Sequence, residues 1–133
     1  MGIEAVTLHV LHVALWVDDW EPTRSFYVEG LGLTQELAAT LDGVDNYLLV
    51  GPDGTGIQFK HDPEARRSSG QGGLDHVAVA VADLDAAVDR LTASYGGTVR
   101  RPPSYQAASG NRIAFVEDPS GYVVELVEVA GDD

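Results

Sequence analysis

Two kinds of hydrophobic spacing follow one another along this chain, and they do so twice in the same order. Residues 8–17 and 76–81 alternate or run apolar with an excess of valine, which is the pattern of β-strands. Each is followed by a helical stretch with an acidic start. Asp18 or Asp19 can cap the first helix, with Pro22 in its first turn and Gly30 at its end. Asp83 and Asp85 open the second helix, and Gly96-Gly97 closes it. Short strands come next, at 34–39, 46–50 and 56–60 in one half and at 98–100, 112–116 and 122–129 in the other. The pattern predicts βαβββ twice, an α+β chain with more strand than helix.

The residues themselves repeat as well as the pattern. Displaced by 64 positions, His12-Val13-Ala14 falls on His76-Val77-Ala78, Val17 on Val81, Asp19 on Asp83, Gly32 on Gly96 and Thr34 on Thr98. Displaced by 67, Pro52-Asp53-Gly54 with Gln58 falls on Pro119-Ser120-Gly121 with Glu125. This is a duplication, too short for a solenoid. The modules run over about 8–60 and 74–129, and the Ser-, Gly- and Arg-rich stretch 61–73 is the expected linker. At this length the two share one core, so residues 1–133 are read as a single domain.

Strand alternation then isolates four polar residues. Val13, Leu15 and Val17 share the packing face of the first strand, which leaves His12, Ala14 and Trp16 on the other; Val77, Val79 and Val81 leave His76, Ala78 and Ala80. Gln58 lies between Ile57 and Phe59, and Glu125 between Val124 and Leu126. A lone His or Gln on a strand is more often a hydrogen-bonded core residue than a ligand. A carboxylate flanked by valine and leucine is harder to explain that way, since burying it unpaired is costly. Two matched pairs point to a metal site of His12, Gln58, His76 and Glu125. Two imidazoles, a carboxylate and an amide oxygen suit a first-row divalent ion and leave two positions for water or substrate. His9 lies three residues before His12, hence on the opposite strand face, and His61 opens the linker; both are weaker candidates.

Composition narrows the partners. Twenty-one acidic side chains against eight basic ones give a net charge of −13, which repels nucleic acid and anionic lipid. A small-molecule substrate is the remaining partner. Lys60 is the only lysine; the other seven cations are arginines. Acid in such excess is read as adaptation to a salt-rich cytosol. There is no cysteine, which excludes disulfides, thiolate ligands and a cysteine nucleophile. The apolar runs are too short to span a membrane, and residues 1–8 lack a basic segment leading into an apolar one, so a cytoplasmic protein is expected.

At these residues the chain resembles the vicinal oxygen chelate superfamily of glyoxalases, bleomycin-resistance proteins and extradiol dioxygenases. The resemblance rests on His12 to Asp19, on Ser25-Phe26-Tyr27 leading to Gly30-Leu31-Gly32-Leu33, on Asp75-His76-Val77-Ala78-Val79, and above all on Phe115 to Leu126 with its Asp118-Pro119-Ser120-Gly121 turn. It implies two tandem βαβββ modules in a cupped mixed sheet around one divalent ion (Ni, Co, Zn, Mn or Fe), and a homodimer. Similarity is greatest to glyoxalase I, whose metal positions fall on His12, Gln58, His76 and Glu125, with Glu125 as the base that moves the proton.

Two departures imply a different thiol or substrate. Gln58 stands in place of a second carboxylate, and Trp16 in place of an arginine that holds glutathione. Trp16 and Tyr47 are the expected pocket residues. Three alternatives remain open. One is an extradiol dioxygenase using His12, His76 and Glu125 around Fe(II), although Phe115 replaces the expected tyrosine. The others are a methylmalonyl-CoA epimerase-like enzyme and a non-catalytic binding protein of the resistance type.

Overall fold

A computed structural model describes residues 11–67, 69–70 and 74–129. The start of the first predicted strand, His9 included, and part of the 61–73 stretch lie outside the described residues. The first half runs β1 (His12–Trp16), α1 (Trp20–Arg24) with a π-helical turn (Ser25–Gly30), β2 (Thr34–Leu41), β3 (Val44–Val50) and β4 (Gly56–His61). The second runs β5 (Val77–Ala80), α2 (Leu84–Ser94), β6 (Thr98–Gln106), β7 (Asn111–Glu117) and β8 (Val123–Glu128). Each half builds a four-stranded mixed sheet, ordered β1-β4-β3-β2 and β5-β8-β7-β6. The two orders are the same, with the first strand parallel to the last and the others antiparallel.

The register matches too. Ala14 pairs with Gln58 across β1 and β4, and Ala78 with Glu125 across β5 and β8. A one-residue slip in either pair would turn every side chain to the other face.

One core lies between the helices and the two sheets. It takes Leu15 from β1 and Val17 just after it, Phe26 and Tyr27 from the π turn, Ile57 and Phe59 from β4, Leu84, Val88 and Leu91 from α2, and Val124 and Leu126 from β8. Contacts across the halves run through the helical side. Tyr27 donates its hydroxyl to Asp118 Oδ2 at 2.7 Å, and Arg90 donates to the carbonyl oxygens of Glu29 and Gly30. Asp118 also accepts from the N–H groups of Ser120 and Tyr122, so one buried carboxylate fastens the β7–β8 turn to the first helix.

Local chemistry accounts for most element ends. Asp83 accepts from Ala86 N at 3.1 Å as a helix cap, and Gly96 at φ 73° carries the chain out of α2. The first helix departs from expectation. Asp19 holds the cap position without a side-chain bond, while Asp18 reaches over to Ser69, accepting from its N–H and its hydroxyl. The helix widens into a π turn, which crowds neighbouring residues on one side, and both Phe26 and Tyr27 are fully buried there. Strand β6 runs well beyond its predicted end, through Pro102 and Pro103. It is an outer strand with register shifts at Val99/Arg101 and Arg101/Ser104, and missing N–H groups are tolerated there.

Candidate metal and active site

The faces opposite the core carry the candidate chemistry. On the face of β1 away from the core, His12 and Ala14 are exposed and Trp16 half-buried, and on β4 Gln58 and Lys60 on that face are half-buried. On the second sheet, Glu125 pairs with Ala78 on one side and Phe115 on the other, so these three share the open face.

Gln58 is held in a defined orientation. Asn46, buried on β3, donates through Nδ2 to its neighbour's carbonyl, Val44 O, at 3.0 Å; its Oδ1 must therefore accept, and it accepts from Gln58 Nε2 at 2.8 Å. With its nitrogen tied in this way, Gln58 has its carbonyl oxygen left, with no partner among the described residues. An amide oriented so offers the atom that a cation takes.

His76 and Glu125 meet in the second sheet, with Nε2 at 3.2 Å from Oε1. The other ring nitrogen, Nδ1, lies 2.7 Å from Asp75 Oδ2, and Phe115 packs edge-on at 5.6 Å. A carboxylate on Nδ1 fixes the ring and turns Nε2 toward Glu125. Glu125 is well covered, with 15% of its side chain exposed, yet aims at the open face. The donor chemistry on both sheets thus fits a divalent ion.

Of the four candidates only His76 and Glu125 are in contact; His12 and Gln58 share a face of the first sheet, where their register partners are Gly56 and Ala14. Among the described residues no three of His, Asp and Glu converge on a point where an ion would sit. A cleft of about 590 Å³ runs between β1 and β5, but of the four only His12 lines it, beside Val13, Val77 and Val79. Tyr47 is a correction. It pairs with Phe59, which puts it on the helical side, and its ring stacks on Trp20 at 3.8 Å between centroids. It is no part of the open face; Leu48 and Asn46 are. Trp16 does lie on that face, with cations over its ring. Asn46 and Asp75 were not foreseen as positioning residues. The one available signal was a polar or acidic residue next to a predicted strand face.

Residues 9–126 match the family model for the glyoxalase/bleomycin resistance protein/dioxygenase superfamily, and the chain belongs to that superfamily. It is 31% identical over 134 aligned positions to a lactoylglutathione lyase of Neisseria meningitidis, covering 95% of each chain. It is 30% identical to a lactoylglutathione lyase of Arabidopsis thaliana, covering 89% of this chain but only 43% of that one. Among solved structures it resembles the trypanothione-dependent glyoxalase I of Leishmania major, with a TM-score of 0.71 and 26% identity over 92% of this chain and 87% of that one. Two mixed four-stranded sheets with few helices are the superfamily's fold. No helix among the described residues is long and apolar enough to cross a membrane.

Proposed function

We propose that this chain is a metal-dependent lyase of the glyoxalase I type, which moves a proton between neighbouring carbons of a hemithioacetal. The observation that carries the reading is the matched register. Gln58 lies opposite Ala14 and Glu125 opposite Ala78, each beside a small residue and each two positions further along the sheet than a histidine on the neighbouring strand. The resemblance to named lactoylglutathione lyases supports the same chemistry.

His12, Gln58, His76 and Glu125 are the residues that would hold the ion. A divalent ion bound there supplies positive charge beside the substrate's adjacent oxygens. Glu125 takes the proton from the carbon next to the carbonyl and returns it to the neighbouring carbon, so the hemithioacetal becomes a thioester and no co-reactant is consumed. His76 keeps Glu125 in place. Gln58 has no proton-accepting carboxylate, so only one face of the substrate has a base, and one stereoisomer reacts far faster.

Because each sheet carries two of the four ligands, we further propose a homodimer in which the first module of one copy faces the second module of the other. Leu37 and Leu41 on β2 and Val99 and Tyr105 on β6, all exposed on the outer strands, support burial by a second copy.

The test is turnover of methylglyoxal hemithioacetals by protein loaded in turn with Ni, Co, Zn, Mn and Fe(II), followed by thioester absorbance, alongside sedimentation. Thioester formation that is lost in Glu125→Gln, by a dimer, is the expected result. Oxygen uptake with catechols and no thioester would overturn it in favour of a dioxygenase.

A further inference from the structure

The two halves differ most sharply at a position where their backbones are the same. Displaced by 67 positions, Thr55 falls on Tyr122, and equivalent bonds close the turns that carry them. Gly51 N–H donates to Thr55 O at 2.9 Å, as Asp118 N–H does to Tyr122 O at 2.8 Å. Gly54 N–H donates to Gly51 O, as Gly121 N–H does to Asp118 O, each at 3.0 Å. The side chains break the match. Tyr122 is 3% exposed, and its hydroxyl reaches across to the first half, donating to the Trp16 carbonyl at 2.6 Å. Thr55 is shorter and folds back on its own turn, donating to Asp53 Oδ1 at 2.7 Å.

Strand geometry explains why Tyr122 finds an acceptor. The Leu11 carbonyl and the Val17 N–H both bond to β4, and backbone groups alternate between the two edges of a strand. The N–H and C=O groups of His12, Ala14 and Trp16 therefore point from the opposite edge of β1. In β5, Val81 N–H bonds to the Val127 carbonyl in the same way, which leaves the groups of Ala78 and Ala80 on the outer edge. Ala80 is the counterpart of Trp16 under the displacement of 64. Its carbonyl is the acceptor that a tyrosine at position 55 would meet, and no side chain among the described residues donates to it.

The space is present as well. The cleft of about 590 Å³ between β1 and β5 is lined by Thr55 and Ala80, with Val13, Leu33, Ile57 and Val79 as apolar walls. That volume lies within the range of small-molecule sites, about 300–1,000 Å³. Tyr122 shows what the equivalent place accepts: a phenol ring whose hydroxyl meets a strand-edge carbonyl. Charge agrees. A phenol, with a pKa of about 10, is neutral at pH 7 and is not repelled by the acidic surface. We propose that the cleft beside Thr55 is a binding site for a para-substituted phenol, its ring on Val13, Ile57 and Val79 and its hydroxyl donating to the Ala80 carbonyl. The site uses a single hydroxyl rather than adjacent oxygens, and it stands independently of the lyase reading.

Isothermal titration at pH 7, with EDTA present to keep the phenol off any metal, compares 4-(2-hydroxyethyl)phenol with its aryl methyl ether. The phenol should bind with a Kd of about 1 mM or lower, and the ether about tenfold more weakly, the scale of one hydrogen bond. Thr55→Tyr supplies the phenol from within the chain and should weaken binding of the added one by at least about tenfold. No binding of the phenol at about 10 mM, phenol and ether within about twofold of each other, or undiminished binding to Thr55→Tyr would overturn the site. The phenol–ether comparison is made on the unaltered protein, so it decides the matter even where the tyrosine variant does not fold. No hemithioacetal enters the titration, so failure here leaves the lyase reading untouched.

Discussion

Replacing Asp118 by alanine tests whether the two halves are one cooperative unit. Asp118 is 4% exposed and accepts three hydrogen bonds: from the Tyr27 hydroxyl at 2.7 Å, and from the Ser120 and Tyr122 N–H groups at 2.9 Å each. Alanine leaves all three donors without that acceptor. Tyr27 is fully buried and cannot turn to water, and the Tyr122 bond is buried as well. At about 1–3 kcal/mol for each buried donor left unpaired, two of them cost about 2–6 kcal/mol.

Part of this is offset, because burial pushes the Asp118 carboxyl above its usual pKa and the charged form is held at a cost. The net loss expected is about 3 kcal/mol, a large fraction of the stability of a domain this size. It corresponds to a fall of about 10 °C in Tm. Asparagine keeps an acceptor for both N–H groups and a polar partner for Tyr27, so Asp118→Asn should cost about 1 kcal/mol or less. Urea unfolding followed by far-UV circular dichroism, with m compared between variants, measures both. If Asp118→Ala stayed within about 1 kcal/mol of wild type, or if Asp118→Asn were as harmful as alanine, the bond network would not be the fastening described here.

The same carboxyl gives a pH prediction. Its folded pKa is raised, so the stability it contributes is complete below the unfolded value of 3.8 and declines as pH rises through the folded one. Wild type should therefore lose stability relative to Asp118→Asn over that interval, as read from paired denaturation curves; a constant difference would contradict the burial argument. Gly56→Ala should destabilise by about 3 kcal/mol, because the new Cβ would lie 2.1 Å from Leu49 O in the neighbouring strand, where backbone has to move. A normal melting curve for that variant would mean that β3 and β4 do not pair as described. Salt should raise Tm between about 0.1 and 2 M as screening weakens repulsion among the excess acids, and a Tm indifferent to salt would remove the case for adaptation to a salt-rich cytosol. Glu125→Gln should lose metal retention in the presence of a chelator more than Gln58→Ala does, by elemental analysis, since it removes the only formal charge among the four proposed ligands.

What could be read from the sequence was whatever strand geometry and duplication determine locally. Alternation by twos assigned His12, Gln58, His76 and Glu125 to faces opposite the packing valines, and the displaced copies placed them at equivalent positions before any coordinates. Alternation was silent where both faces are apolar. In β3, Asn46, Leu48 and Val50 alternate with Tyr47 and Leu49, and only pairing with Phe59 decided that Tyr47 turns toward Trp20.

The tertiary structure alone decided contacts between groups far apart along the chain. Examples are Asp18 with Ser69, Tyr27 with Asp118, and Arg67 over the ring of Trp16. It also decided that His12 and Gln58 lie on the open face of one sheet and His76 and Glu125 on that of the other. The reason is physical: side-chain direction along a strand follows from the backbone repeat of adjacent residues, whereas the approach of residues tens of positions apart depends on how whole elements pack. No short window of sequence contains that packing.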